Sequence, residues 1–156
     1  MIDYNQFKNL VLIPALQSIN LYSEDAVALL LATMAQESDF GEYIGQEGGP
    51  AMGVFQMEPF VYNDIVINFL SSHETLKQLI LKACSTDTFP LPDRIIYDLR
   101  LATIMARVFY ERCPGALPDS KDIQGQWNYY KEYWNTRDGA ATEEEFMANH
   151  AKYIKG

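Results

Sequence analysis

Between Ala35 and Pro59 a glutamate, Glu37, closes an apolar run. Ser38, the Gly-rich acidic loop GEYIGQEGGPAM and the segment Gly53-Val54-Phe55-Gln56-Met57-Glu58-Pro59 follow it. On a helix over Ala26–Glu37, the glutamate shares a face with Leu30, Thr33 and Met34, so it extends an apolar stripe. A carboxyl held against apolar groups has its ionised form disfavoured and its pKa raised. A carboxylic acid still protonated near neutral pH is what protonates the leaving oxygen of a glycoside. The alternative is that Glu37 and Ser38 merely finish a helix and face water, although an acid there opposes the helix dipole. Gln56 carries both a donor and an acceptor beside apolar Val54, Phe55 and Met57. It suits the reading of an amide or a sugar hydroxyl, or else caps a backbone group in a loop packed on the core.

The elements that must position these groups are helical almost throughout. Phe7, Leu10, Val11 and Ala15 recur at helical spacing, and Pro14 is expected to kink or end that first helix. Ser23 is the expected N-cap of the helix that carries Glu37, with Glu24 and Asp25 in its first turn. That helix, AVALLLATMA, is apolar nearly all round and belongs in the core. Further helices are expected around Phe60–Leu70, Glu74–Cys84, Asp93–Cys113 and Ser120–Trp134. Pro90 and Pro92 break the chain between the second and third of these. Thr142 and Glu145 form a capping box for a last helix. The fold class is all-α or mainly α in one domain over 1–156, with room for a very short β element near residues 43–56.

Composition narrows the function. The chain has 156 residues, 48% hydrophobic and 21% charged, as globular proteins do. A net charge of -9 offers no basic excess to displace counterions, which argues against nucleic acid as a partner. No apolar run approaches a membrane span, and no basic leader precedes the first apolar stretch, so no export signal is expected. The protein would then be made in the cytoplasm and reach a cell wall within a larger particle or after membrane failure. Cys84 and Cys113 match no metal or redox spacing, and His73 and His150 form no metal motif. No cofactor or metal is expected. Arg100 and Arg107 are expected to pair with acids.

The pair Glu37-Ser38, followed at this spacing by Ala51-Met52-Gly53-Val54-Phe55-Gln56-Met57-Glu58-Pro59, resembles the SLT-type lytic transglycosylases of the lysozyme superfamily. Their Glu-Ser at a helix end precedes a G-A-x-G-L-M-Q-x-x-P segment. Here the Gly, Gln and Pro match, with Val54 and Phe55 in place of Leu and Met. The family's later Ala-Tyr-Asn-x-Gly landmark has its nearest match in Tyr133-Trp134-Asn135, with Gly139 following. Trp134 occupies the tyrosine position, which leaves Tyr130 or Tyr133 to supply a hydroxyl to the glutamate. The long span between the landmarks puts an insertion around Asn63–Pro92. The resemblance implies a lysozyme-like helical domain that cleaves the MurNAc-GlcNAc bond of peptidoglycan. Glu37 would act first as acid and then as base, closing a 1,6-anhydro ring without a second carboxylate. It also implies substrate contacts from Ser38, Gly53, Val54, Phe55, Gln56, Tyr130, Tyr133, Trp134 and Asn135. Two readings compete with this. Asp39, Glu42, Glu47 or Glu58 could hold a water for a lysozyme-like hydrolase. The chain also has the look of small phage-encoded muralytic proteins, so a non-catalytic part of a phage virion, seated against other virion proteins, is the other reading.

Overall fold

The computed structural model describes residues 1–156 and is mainly helical. Helix α1 comprises Tyr4–Gln6, a π-wound Phe7–Leu12 and Ile13–Ser18. It runs through Pro14 without ending there. The π-wound turn lies just before the proline and absorbs the place of the hydrogen bond that proline cannot donate.

Helix α2, Glu24–Ser38, starts where the Ser23 hydroxyl accepts from the Ala26 amide at 3.0 Å. Ten of its residues are buried, on every side of the helix, so it passes through the core as its composition requires. Helix α3 spans Pro59–Asp64 and continues as a π-wound Ile65–Phe69 and a 3-10 turn, Leu70–Ser72. Helix α4 is Glu74–Ala83.

The helix expected over Asp93–Cys113 is divided. Pro92–Ile96 forms a separate 3-10 turn, and α5 begins at Leu99 and ends at Glu111. The divider is Asp98, whose carboxylate accepts from the Leu101 amide at 2.9 Å and caps α5. A propensity count over the segment does not see that cap. Helix α6, Ile123–Tyr129, passes into a π-wound turn, Tyr130–Asn135, and α7, Glu143–Tyr153, opens on the expected Thr142–Glu145 capping box. Where room was left for a very short β element, residues 45–57 hold two isolated antiparallel bridges, Gly45 with Met52 and Met52 with Met57.

Helix α2 packs against α5 and α7, while α1 lies on α4 and α5. The principal core gathers residues from α1 to α5, from the Gly53–Met57 turn and from Tyr153. A smaller cluster of Ala32, Trp127, Tyr130 and Phe146 joins α6 and α7 to the far side of α2. Arg107 pairs with Glu111 at 3.2 Å, whereas Arg100 donates to the Ala83 carbonyl and pairs with no acid. No helix is long and apolar enough to cross a membrane.

Candidate active site

Helix α2 ends abruptly. Asp39 and Phe40 both take left-handed backbone, at φ +50° and +58°. Such a conformation is costly for a bulky side chain. The compensation is burial of Phe40 among Tyr4, Phe7 and Tyr153, whose rings lie 5.8, 6.0 and 6.1 Å from it. The reversal turns the chain away from the last turn of α2 and leaves Glu37 at the floor of a cleft of about 540 Å³. That volume lies in the range of small-ligand sites.

The Glu37 carboxyl is mostly buried, and burial pushes its pKa from 4.5 to about 7. A hydrogen bond from the Tyr130 hydroxyl to Oε1, 2.5 Å long, works in the opposite direction because it favours the ionised form. Tyr130 is itself only 1% exposed, held against Trp127 and Phe146 in the smaller cluster. Its own pKa is raised, by burial first and then by the neighbouring Glu37 charge. The phenol therefore stays protonated and acts as a fixed donor. With Oε1 occupied, Oε2 is the oxygen left to carry a transferable proton.

Ser38, expected to touch substrate, does not line the cleft. It is fully buried. Its hydroxyl lies 2.6 Å from the Val54 carbonyl and 3.2 Å from that of Met34, and accepts from the Gly41 amide at 2.9 Å. The hydroxyl thus ties the end of α2 to the Gly53–Met57 turn. Gly53, Val54 and Phe55 are likewise buried under the cleft and do not line it. At Gly53, φ is +75° and an added Cβ would sit 2.5 Å from the Ile95 carbonyl oxygen, so no larger residue fits. Val54 and Phe55, two consecutive apolar residues, are 1% exposed and join the principal core. Gln56 and Met57 are the residues of this turn that line the cleft, Gln56 also in left-handed backbone at φ +50°. The Gln56 Nε2 donates to the Gly53 carbonyl at 2.8 Å, which fixes the side-chain amide and leaves Oε1 without a protein partner.

The opposite wall comes from the π-wound turn after α6. Trp134 and Asn135 line the cleft. The Trp134 ring lies 4.6 Å from Phe109, 5.3 Å from Tyr110 and 6.5 Å from Phe55. Tyr133 packs on Tyr129 at 4.7 Å and is not part of the lining. Of the two tyrosines left open by the sequence, Tyr130 is the one that reaches Glu37.

The cleft therefore brings together Glu37, Gln56, Trp134 and Asn135, with Tyr130 behind the acid. Gln46, Ala51, Met57, Val61, Phe109 and Thr136 complete it and were not anticipated, while Glu58 and Gly139 were noted in other connections. Phe109 reads in the sequence as one apolar residue among many on α5, and nothing in its spacing marks it. Of the acids considered for a water-holding role, only Glu58 lines the cleft. Asp39, Glu42 and Glu47 lie outside it. No cluster of His, Cys, Asp and Glu could hold a metal ion. Set against protein-family models, curated proteins and solved structures, the chain matches none.

Proposed function

We propose that the protein is a glycan-cleaving enzyme of the lytic transglycosylase type, acting on the MurNAc-GlcNAc bond of peptidoglycan with Glu37 as its acid and base. The observation that carries this reading is the Glu37–Tyr130 pair at the cleft floor: a carboxyl with a pKa near 7 and one oxygen committed to a fixed phenol donor. Glu37 Oε2–H gives its proton to the glycosidic oxygen as the bond from that oxygen to the anomeric carbon breaks. The resulting carboxylate then takes the proton of the sugar's own C6 hydroxyl while that oxygen bonds to the anomeric carbon. The ring closes, the acid is regenerated and no water is consumed. The position of three of the four candidate second acids outside the cleft supports this route over hydrolysis. Hydrolysis requires a second carboxylate roughly 5–10 Å from the acid, either as nucleophile or holding a water.

Digestion of purified peptidoglycan followed by mass spectrometry tests the reading. The expected products end in 1,6-anhydro-muramic acid, lighter by one water than hydrolysed ends. Glu37→Gln is expected to lower activity by a factor of about a hundred or more while folding persists. Reducing muramic ends as the main product would replace the transglycosylase route by a hydrolytic one with Glu58 as the candidate base. Full activity in a folded Glu37→Gln protein would remove Glu37 from the chemistry altogether.

A further inference from the structure

The Asn135–Gly139 turn forms part of the cleft wall, and it does not hold its shape unaided. Thr136 sits at φ +70° and ψ 163°, a region that β-branched residues avoid and glycine alone enters readily. Gly139 approaches so closely that an added Cβ would lie 2.3 Å from both the backbone and side-chain oxygens of Asn135. The restraint comes from Lys131, one turn earlier. Its ammonium donates to Asn135 Oδ1 at 2.7 Å, to the Gly139 carbonyl at 2.8 Å and to the Ala141 carbonyl at 3.0 Å. Three donors meet three acceptors, so the lysine is satisfied entirely by this turn and by Ala141 just after it. It lies outside the cleft lining and braces the wall from behind.

The contact to Oδ1 has a chemical consequence. Asn135 has one acceptor oxygen and one NH₂ group, and the ammonium, which can only donate, takes the oxygen. A flipped amide would set N–H against N–H. The NH₂ group is thereby the polar end that Asn135, a residue of the cleft lining, has left to offer. On the other wall, Gln56 is fixed the opposite way, its nitrogen held by Gly53 and its oxygen free. The cleft thus shows a fixed donor on one side and a fixed acceptor on the other. A secondary amide carries one complement to each.

We propose that Lys131 is a positioning residue for recognition: by occupying Asn135 Oδ1 it makes this wall of the cleft a donor, which selects sugars that carry an acetamido group over sugars that carry only hydroxyls. The proposal rests on the glycan-cleaving reading of the same cleft and adds the residue that sets its selectivity. A hydroxyl can also donate and accept, but from a single oxygen, whereas an amide presents its N–H and C=O on opposite sides, and that span is what a fixed donor and a fixed acceptor together select.

The test is binding, measured by titration calorimetry in the Glu37→Gln background so that turnover plays no part. The two probes are the β-1,4 tetramer of N-acetylglucosamine and the corresponding glucose tetramer. The parent is expected to prefer the acetylated tetramer by tenfold or more. Lys131→Met is expected to remove most of that preference, and Lys131→Arg, which still donates, to retain part of it. Asn135→Asp guards against misfolding as an explanation. A carboxylate there keeps the contact with Lys131, so the melting temperature should hold or rise, yet it offers no N–H and should abolish the preference. An unchanged preference in folded Lys131→Met, or in Asn135→Asp, would overturn the proposal, as would a parent that binds both tetramers equally. None of these results touches the peptidoglycan digest, so failure here and failure of the glycan-cleaving reading are separately visible.

Discussion

Neutralising the acid should make this protein more stable, and the gain should depend on pH. In the folded chain the Glu37 carboxyl titrates near 7 instead of 4.5, mainly because it is buried. A folded-state pKa above the unfolded value means that the folded chain holds the extra proton between those two points. The stability associated with the protonated form is complete below about 4.5 and is lost as the pH rises through about 7. At roughly 1.4 kcal/mol for each pH unit of that interval, ionised Glu37 costs the fold about 3–4 kcal/mol by pH 8.5. Gln is neutral throughout and keeps an oxygen that can accept from Tyr130. For a chain of this length each kcal/mol moves the melting temperature by roughly 2–4 °C. Glu37→Gln should therefore melt on the order of 10 °C higher than the wild type at pH 8.5 and close to it at pH 4.5. Calorimetric melts of both proteins across that range give the difference directly, and groups common to both cancel. A difference that stays flat with pH would refute the reasoning, because it would mean that Glu37 is not held in a desolvated, proton-retaining site.

Other consequences follow from the same geometry. Tyr130→Phe removes the donor that favours ionised Glu37, so the pKa should climb further above about 7. The alkaline limb of the pH–activity profile should then move to higher pH, with activity on peptidoglycan lowered by roughly 10–100-fold; an unmoved limb would show that the pair is not functional. Ser38→Ala leaves the buried Val54 carbonyl without its side-chain donor and should cost about 1–3 kcal/mol in urea unfolding. A loss of binding with full stability would instead restore Ser38 as a substrate contact. Thr136→Gly relieves a backbone conformation worth about 1–3 kcal/mol and should raise the melting temperature slightly, whereas a lowered one would show that Thr136 is not strained.

The helical class, the caps at Ser23 and Thr142 and the break near Pro90 were legible in the sequence because each depends on neighbours a few residues away. Glu37 was legible for the same reason: its spacing from Leu30, Thr33 and Met34 decides which face it joins. What spacing could not give was the side of the Gly53–Met57 turn that meets the core. Val54 and Phe55 look like a platform in the sequence and are packing in the fold, and Ser38 looks like a substrate contact and is a tie between two segments. The choice between Tyr130 and Tyr133 was undecidable for a different reason. Tyr130 opens a π-wound turn, and π winding shifts the faces that a regular helical count assigns to the residues after it. The division of Asp93–Cys113 turned on one carboxylate at Asp98, which a hydrophobic pattern does not register.

The tie at Ser38 also separates two parts of the site that adjoin in sequence. Because Ser38 follows Glu37 directly and its hydroxyl meets Val54, the acid and the Gln56 amide belong to one rigid frame. Residues 42–50 are all exposed and form an arc between the Gly41 amide and Ala51, tied back where Ile44 and Gln46 pair with Gly53 and Ala51 and reaching the cleft only through Gln46. Outside the tied residues Ile44–Gln46, the arc can be resurfaced while the distance from acid to amide stays as it is. The frame is thus fixed from within, and Gln46 is the residue through which changes in the arc reach the cleft.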